Sequence, residues 1–112
     1  MKLVKKPWGN FKQFILNKKC TVKIITVIPH GVLSLQKHKK RKEIWYFITP
    51  GYVQIGKKKR KVNEGEIVNI GKGVAHRLYA KKEIVKILEI SSGYFDENDI
   101  VRLKDVYGRV KK

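Results

Sequence analysis

Short apolar runs separated by turn residues recur along most of the chain. The run 21–28 is rich in β-branched residues and ends at Pro29, and the run 43–49 ends at Pro50. β-Branched and aromatic residues favour strands, and proline does least harm at a strand end. The other candidate strands are 11–16, 33–38, 52–55, 59–62, 67–70, 76–79 and 84–91. About eight to ten short strands at this spacing predict an all-β sandwich or barrel.

The run 33–38 alternates between apolar and polar residues. Since successive side chains of a strand point to opposite faces, its two leucines share one face. Ser34, Gln36 and His38 share the other face. The pattern therefore predicts that Gln36 and His38 project from the same side of a sheet.

The character of the chain changes after Gly93. The acidic stretch 96–99 contains residue types that cap helices, and it predicts a short helix continuing through Lys104. We therefore expect a short C-terminal helical segment after the last strand.

The length of 112 residues fits a single domain. No apolar run approaches the roughly 20 residues that span a bilayer, and the N-terminus lacks the apolar segment of a signal peptide. Cys20 is the only cysteine, which excludes an intrachain disulfide. These features predict one domain over 1–112 in the cytoplasm, without a membrane partner.

The charge is strongly basic, with 27 Lys and Arg against 9 Asp and Glu, a net charge of +18. Such a field attracts phosphorylated metabolites or nucleic acid. The basic clusters 18–19, 39–42, 57–61 and 81–82 lie in predicted turns, which is typical of solvated loops. Nucleic-acid binding is therefore open but not favoured, and a lysine-rich solvated surface is the simpler explanation.

Four residues form a candidate metal site: Gln36, His38, Glu43 and His76. Two imidazoles, a carboxylate and an amide oxygen suit Zn, Fe, Mn, Co or Ni better than a thiolate-binding ion. The spacing alone places Gln36 and His38 on one face. A hairpin-like return is needed to bring Glu43 toward them, and nothing in the spacing fixes His76.

Two segments resemble the paired motifs of the cupin superfamily. The segment 29–51, which contains Gln36, His38 and Glu43, resembles the first motif, and the segment 65–76, which ends at His76, resembles the second. Gly71 stands where the second motif usually has proline. The resemblance implies an all-β cupin fold, a double-stranded β-helix or jelly-roll barrel.

Four further stretches resemble the C-terminal domain of type II phosphomannose isomerases, the bifunctional mannose-1-phosphate guanylyltransferase/mannose-6-phosphate isomerases. They are Lys-Pro-Trp-Gly-Asn-Phe (6–11), Leu-Ser-Leu-Gln-Lys-His (33–38) with Arg41 and Glu43-Ile44-Trp45, Gly-Val-Ala-His-Arg-Leu (73–78), and 99–109, which ends in Tyr-Gly-Arg. This resemblance runs in order over nearly the whole chain. It implies one cupin domain, with no nucleotidyltransferase domain within 1–112.

The resemblance implies that one divalent ion binds Gln36, His38, Glu43 and His76. It also implies a metal-dependent aldose–ketose isomerase that interconverts mannose 6-phosphate and fructose 6-phosphate. Such a reaction needs a Lewis acid, a base and cations for the phosphate. Candidate catalytic residues are Arg109, Lys23 and Glu89, and candidate substrate-binding residues are Arg41, Trp45, Tyr107 and Ser34. For this reaction, Arg109→Ala is expected to cripple turnover and leave the metal bound.

Several of these assignments have simpler alternatives. Lys23 and Glu89 lie on strands that line the predicted barrel, and they can equally form a mere ion pair. The chain can also be a non-catalytic metal-binding cupin that binds a sugar phosphate or partners a separate guanylyltransferase. Exposed sheet edges favour a homodimer, whereas the net charge opposes contact except through an apolar patch.

Overall fold

The structure is a computed structural model that describes residues 1–94, 96 and 98–109. Within these residues it contains strands and no helix. The strands are β1 (Lys2–Lys6), β2 (Gly9–Gln13), β3 (Cys20–Val27), β4 (Leu35–Lys37), β5 (Arg41–Phe47), β6 (Gly51–Ile55), β7 (Lys58–Val62), β8 (Ile67–Ile70), β9 (His76–Tyr79), β10 (Val85–Gly93) and β11 (Val101–Lys104). Accordingly, no helix of the described part is long and apolar enough to cross a bilayer.

Two antiparallel sheets form the body of the fold. One has the strand order β3-β10-β5-β8, and the other has the order β11-β4-β9-β6-β7. The chain passes between the two sheets several times, so their inner faces enclose one shared interior. A separate hairpin of β1 and β2 precedes them.

The interior is divided between an apolar half and a polar half, and β5 contributes to both. Trp45 and Phe47 are buried at one end of this strand, and Arg41 and Glu43 are buried at the other, while the residues between them face outward. This is the two-residue period of a strand with one buried face. The same strand therefore anchors the core and supplies polar side chains to the interior.

The apolar half is a continuous cluster of buried side chains. Its members are Val27, Trp45, Phe47, Val53, Val62, Val68, Ile70, Leu78, Ala80, Val85 and Ile87. Burial of one large apolar side chain stabilises a fold by roughly 1.5–3 kcal/mol. This packing fixes β5, β9 and β10, and with them the polar residues at their other ends.

A glycine lets the end of β10 approach β5 closely. Gly93 pairs with Arg41 and has a φ of 105°, a conformation that side-chain-bearing residues rarely adopt. A Cβ atom at this position would lie 2.6 Å from the carbonyl oxygen of Lys40. Gly93 is therefore required for the chain to pass beside Arg41.

The predicted C-terminal helix is wrong, because Val101–Lys104 is strand β11. This strand pairs antiparallel with β4, with Arg102 opposite Gln36. The carboxylate of Asp99 does not cap a helix of its own. It accepts hydrogen bonds from the backbone N–H groups of Lys39 and Lys40, at 2.9 and 2.8 Å. Pairing with the open edge of β4 thus overrides the local capping signal. Glu97, part of that signal, lies outside the described residues.

The N-terminal region also differs from the prediction. The expected strand 11–16 ends earlier, as β2, and pairs with β1, which the pattern did not predict. Of the apolar residues in this hairpin, Leu3 and Phe11 are exposed. Their burial pattern gives no alternation, which is why sequence periodicity missed β1.

Candidate metal centre

The polar half of the interior is a cavity of about 210 Å³ between the two sheets. Its lining residues are Lys23, Ile25, Leu33, Gln36, His38, Arg41, Glu43, Trp45, Glu89, Ile100 and Arg102. Gln36 and His38 both line it, as their shared face predicts. Gln36 is also directly opposite His76 in the β4–β9 pairing, which brings distant parts of the chain together. Leu33 lines the cavity too, because β4 begins only at Leu35 and the strict alternation does not extend to residue 33.

Three buried side chains converge beside this cavity: His38, Glu43 and His76. The carboxylate of Glu43 lies between the two imidazoles. Its Oε2 is 3.6 Å from Nε2 of His38, and its Oε1 is 3.6 Å from Nε2 of His76. The potential ligand atoms lie within 4.8 Å of one another. This separation allows all three to reach one ion.

The backbone fixes which nitrogen of each ring faces the carboxylate. Nδ1 of His38 lies 2.6 Å from the carbonyl oxygen of Asp99, and Nδ1 of His76 lies 2.8 Å from that of Val74. Carbonyl oxygens only accept hydrogen bonds, so both Nδ1 atoms carry the proton. In a neutral ring, Nε2 then presents a lone pair to Glu43.

Burial favours the neutral form of His76. Desolvation lowers the pKa of His76 below its usual value, and this effect outweighs the opposing influence of the Val74 carbonyl and the Glu43 charge. Nε2 of His76 is buried and has no hydrogen-bond partner among the described residues. An orphaned lone pair beside a carboxylate fits a cation with nitrogen and oxygen ligands.

Arg41 and Trp45 hold the carboxylate of Glu43 in place. Nε of Arg41 donates to Oε2 at 3.0 Å, and Nε1 of Trp45 donates to Oε1 at 3.1 Å. The guanidinium NH2 of Arg41 also lies 3.2 Å from Nε2 of His38. Arg41 is thus a buried positive charge within the site, and an ion bound to His38 would replace this last contact.

Glu89 is a second buried carboxylate in the cavity. It is directly opposite Lys23 in the β3–β10 pairing, and its Oε1 accepts a hydrogen bond from Oγ of Ser91 at 3.2 Å. Burial, reinforced by the charge of Glu43, raises the pKa of Glu89 to about 7 despite Ser91, Lys23 and Arg41. A carboxyl group that titrates near neutrality is suited to proton transfer.

Arg102 lines the cavity, although no role for it was predicted. Its Nε atom is buried and has no hydrogen-bond partner among the described residues. The predicted helix concealed it, because a helix through Lys104 does not place residue 102 opposite Gln36. Alternation within Val101–Lys104 is the signal that would have found it, since only Arg102 of the four is not fully exposed.

The remaining predicted site residues lie at the margin of the cavity or elsewhere. Ser34 is buried, and its Oγ donates to Oε1 of Gln36 at 3.2 Å. Tyr107 and Arg109 line a separate groove with Val32 and Leu33. Leu33 is the residue that this groove shares with the cavity.

Arg109 is held by an ion pair within the C-terminal turn. Its Nε donates to Oδ2 of Asp105 at 2.7 Å, and its backbone N–H donates to the same oxygen at 2.7 Å. Its side chain is 51% exposed.

Most of the predicted site residues meet at the metal cavity, and two do not. Those that meet are Lys23, Gln36, His38, Arg41, Glu43, Trp45, His76 and Glu89. Arg109 and Tyr107 do not line this cavity.

Known proteins resemble this chain over nearly its whole length. The family described as mannose-6-phosphate isomerase C-terminal matches residues 1–105. The chain is 37% identical over 109 residues to the xanthan biosynthesis protein XanB of Xanthomonas campestris, and 38% identical over 109 residues to the alginate biosynthesis protein AlgA of Pseudomonas aeruginosa. It is 36% identical over 110 residues to a mannose-1-phosphate guanylyltransferase of Escherichia coli K12. Each match covers 95% or 96% of this chain but only 23% of the relative, so the chain spans under a quarter of their length.

Solved structures resemble the fold at lower sequence identity. The capsular polysaccharide assembling protein CapF of Staphylococcus aureus has a TM-score of 0.69 and 17% identity, covering 93% of this chain and 32% of that one. A cupin-2 domain of Rhodospirillum rubrum has a TM-score of 0.64 and 20% identity, covering 78% and 64%. These similarities confirm the predicted cupin fold, and at such identities they concern the fold alone.

Proposed function

Because the chain belongs to the mannose-6-phosphate isomerase C-terminal family, we propose that it is a metal-dependent isomerase that interconverts mannose 6-phosphate and fructose 6-phosphate. The observation that carries the proposal is the convergence of two imidazole Nε2 atoms on the Glu43 carboxylate. Beside it stand a second carboxylate with a pKa near neutrality and a buried nitrogen of Arg102 that has no hydrogen-bond partner within the described part of the chain. Together these groups match the needs of an aldose–ketose isomerase.

Gln36, His38, Glu43 and His76 would hold the ion. The three ionisable residues meet in the structure, and Gln36 is adjacent to His76 across the β4–β9 pairing. The donor set suits Zn, Co, Mn, Ni or Fe. Such an ion would supply Lewis acidity to the sugar oxygens, while Arg41 and Trp45 keep Glu43 oriented.

Glu89 is the proposed base for the proton that moves between C1 and C2 of the open-chain sugar. It takes the proton from one carbon and returns it to the other, so the same group must be basic and acidic within one turnover. A pKa of about 7 balances the two states near neutral pH. Lys23, directly opposite on β3, holds the ionised form by its charge and is the alternative base.

Arg102 is the proposed partner of the anionic substrate in the cavity. No residue that the structure describes accepts a hydrogen bond from its Nε, so this donor is available to a ligand, and a guanidinium suits phosphate. Ser34 supports Gln36 through its hydroxyl, and Trp45 forms a wall next to His76, with ring centroids 5.5 Å apart. Tyr107 and Arg109 are proposed to act from the neighbouring groove, at the entrance rather than at the reacting carbons.

The test is a coupled isomerase assay and elemental analysis on the same sample, after loading with Zn, Co, Mn or Ni. We expect turnover in a metal-loaded sample and none after chelation. His76→Ala should abolish both metal binding and turnover. His30→Asn is the matched control, because His30 is exposed with a φ of 63° that asparagine tolerates. Equal turnover in metal-free protein would refute the metal-dependent mechanism.

A second candidate is a sugar-phosphate-binding module that serves a guanylyltransferase. It is favoured by the relatives that are named mannose-1-phosphate guanylyltransferases and of which this chain spans only 23%. This candidate predicts that the metal-loaded protein binds mannose 6-phosphate without converting it. The same assay, with binding followed by calorimetry, distinguishes the two functions.

A homodimer is a further proposal, and the edge strand β3 is where it would form. Val22 and Ile24 point outward from this strand and are 55% and 65% exposed, in a chain whose surface is otherwise rich in lysine. Apolar patches of this kind mark contact sites.

Cytoplasmic location remains a prediction, and the net charge alone does not favour nucleic acid as the partner.

A further inference from the structure

Residues 98–102 form one wall of the metal cavity and also bind the loop that carries His38. Ile100 and Arg102 line the cavity. Asp99 binds three consecutive residues of the loop, through its carbonyl oxygen to His38 and through its carboxylate to Lys39 and Lys40. Asp99 itself is not among the residues that converge on the candidate ion.

We propose that Asp99 is the positioning residue of the metal centre, and that it sets the orientation and the proton position of His38 without touching the ion. The proposal rests on the metal centre of the proposed function. It adds that the affinity for metal depends on a carboxylate some 60 residues away from His38 along the chain.

The carboxylate of Asp99 is held by the backbone of the loop that carries His38. Its two oxygens accept one backbone N–H each, at 2.9 Å from Lys39 and 2.8 Å from Lys40. Bonds from two successive N–H groups to one carboxylate fix both its position and its rotation, and they are stronger than neutral hydrogen bonds. The backbone of Asp99 is thereby held at a fixed distance from the loop.

The carbonyl oxygen of Asp99 orients the ring of His38. It accepts the Nδ1 proton of His38 at 2.6 Å, which leaves Nε2 facing Glu43. A second partner on the non-ligating nitrogen is the usual device that orients a metal-binding histidine. Because carboxylate and carbonyl belong to one residue, loss of the carboxylate frees the carbonyl to move away from the ring.

The backbone of Asp96 supports Arg41 in a similar way. The NH1 group of Arg41 donates to the carbonyl oxygen of Asp96 at 3.3 Å, while Nε of Arg41 holds Glu43. Thus Asp96 and Asp99 support two of the three converging residues, His38 directly and Glu43 through Arg41. A hydrogen bond from the Asp99 N–H to the Asp96 carbonyl, at 2.9 Å, links these two supports.

The competing explanation is that Asp99 only stabilises the turn 38–41. Both explanations predict some loss of stability in Asp99→Ala. Only the positioning role predicts a selective loss of metal affinity and a change in the protonation pattern of the His38 ring. The matched control is Asp105→Ala, because Asp105 accepts backbone N–H groups from Tyr107 and Arg109 in the same C-terminal region but contacts neither histidine.

The experiment measures Zn²⁺ and Co²⁺ dissociation constants by competition titration for wild type, Asp99→Ala, Asp99→Asn and Asp105→Ala. We expect Asp99→Ala to weaken binding roughly 10–100-fold, as loss of a ligand's supporting partner does. Asp99→Asn keeps one accepting oxygen and should be intermediate, and it serves if Asp99→Ala fails to fold. Asp105→Ala should bind as wild type. Affinities of both Asp99 variants equal to that of Asp105→Ala would overturn the proposal.

A second measurement separates this proposal from the metal centre itself. In metal-free protein, ¹⁵N NMR of the imidazoles should show a slowly exchanging Nδ1 proton on His38 in wild type and its loss in Asp99→Ala. If wild type binds neither ion, the metal-centre proposal fails, and the NMR result still decides whether Asp99 positions His38. A protected Nδ1 proton in Asp99→Ala would refute that role.

Discussion

Two of the arginine–carboxylate pairs of this small domain differ in where the arginine lies, one with its arginine inside and one with its arginine at the surface. Arg41 donates to Glu43 at 3.0 Å, and Arg109 donates to Asp105 at 2.7 Å. The side chains of Arg41 and Glu43 are 8% and 2% exposed, whereas Arg109 is 51% exposed and covers an Asp105 side chain that is itself 0% exposed. The outer pair is shorter, yet only the inner pair has its arginine removed from water as well as its carboxylate.

The difference teaches that distance alone does not rank these pairs. Water reaches the Arg109 guanidinium and screens its charge, so the charge attraction of the outer pair contributes little, and Asp105 acts mainly through hydrogen bonds within the C-terminal turn. The inner pair carries a desolvation cost that only its partners offset, and each partner is left unsatisfied when the other is removed. The inner carboxylate also faces two imidazoles, whereas the outer one accepts hydrogen bonds from its own C-terminal turn.

The largest effect is expected from Glu43→Ala. It leaves the buried Arg41 without its carboxylate, and breaking a buried pair in this way costs about 3–5 kcal/mol. It also removes the anionic member of the converging cluster, so metal binding should be lost. Chemical denaturation and elemental analysis check both. Asp105→Ala is the comparison because it leaves behind an arginine that is 51% exposed to water. If it destabilised the fold as much, burial of the arginine would not be what separates the two pairs.

Glu89→Gln should have the next largest effect, a loss of turnover on the order of 10²–10⁴-fold with metal binding retained. In metal-free protein the carboxyl group should titrate near pH 7, and a bound cation nearby should shift its pKa downward. Since the ionised form is the base, kcat/KM of wild type should rise with pH through the pKa of Glu89. NMR of the carboxyl carbon and a pH profile measure both.

The sign of the stability effect of Glu89 follows from the same pKa. Burial raises the folded-state pKa to about 7, above the model-compound value of 4.5. Its contribution to stability is therefore fully present below pH 4.5, and is lost as the pH rises through about 7. Glu89→Gln should abolish this decrease in folding stability with rising pH. A stability of metal-free wild type that is flat between pH 4.5 and 8 would contradict the assigned pKa.

The sequence predicted the strands that alternate or carry β-branched runs, such as β3 and β5, because burial of one face imposes that pattern. It could not predict β1, whose exposed apolar residues show no alternation, or β11, where the capping signal of Asp99 competes with pairing to β4. In the latter case the partner strand lies more than 60 residues earlier, and local propensity contains no information about it.

The inner site was predicted in two different ways. Strand geometry alone predicts that Gln36 and His38 lie on the same face. His76 was assigned to the same site only through the family resemblance, and the β4–β9 pairing places it opposite Gln36. Arg102 was missed because the wrong element was assigned to it. Tyr-Gly-Arg drew attention to Arg109 as a motif, but a motif does not reveal that Asp105 binds that arginine.

Arg102→Ala should have a smaller effect than Glu89→Gln. Loss of a hydrogen bond to a charged substrate group costs roughly 1.5–3 kcal/mol, about 10–100-fold, and should appear mainly in KM. Arg102→Lys keeps the charge but not the planar fork, so partial recovery is expected. Steady-state kinetics with mannose 6-phosphate measure it. An unchanged KM in Arg102→Ala would remove this residue from the substrate site.

The smallest effect is expected from Arg109→Ala, the variant that decides between the inner and outer arginines. Hydrogen bonds from Arg109 lower the pKa of Asp105 to about 2, so the pair is intact above about pH 4 and is lost only as the pH falls through about 2. At neutral pH Arg109 is therefore tied to Asp105 and half exposed. If it acts only at the entrance, turnover should stay within roughly fivefold of wild type, because a half-exposed, solvent-screened charge contributes at most about 1 kcal/mol, and metal affinity should not change. A loss as large as that of Glu89→Gln would instead support the catalytic role that the Tyr-Gly-Arg motif suggests. It would require the C-terminal turn to release Arg109 from Asp105 and bring it into the cavity when substrate binds.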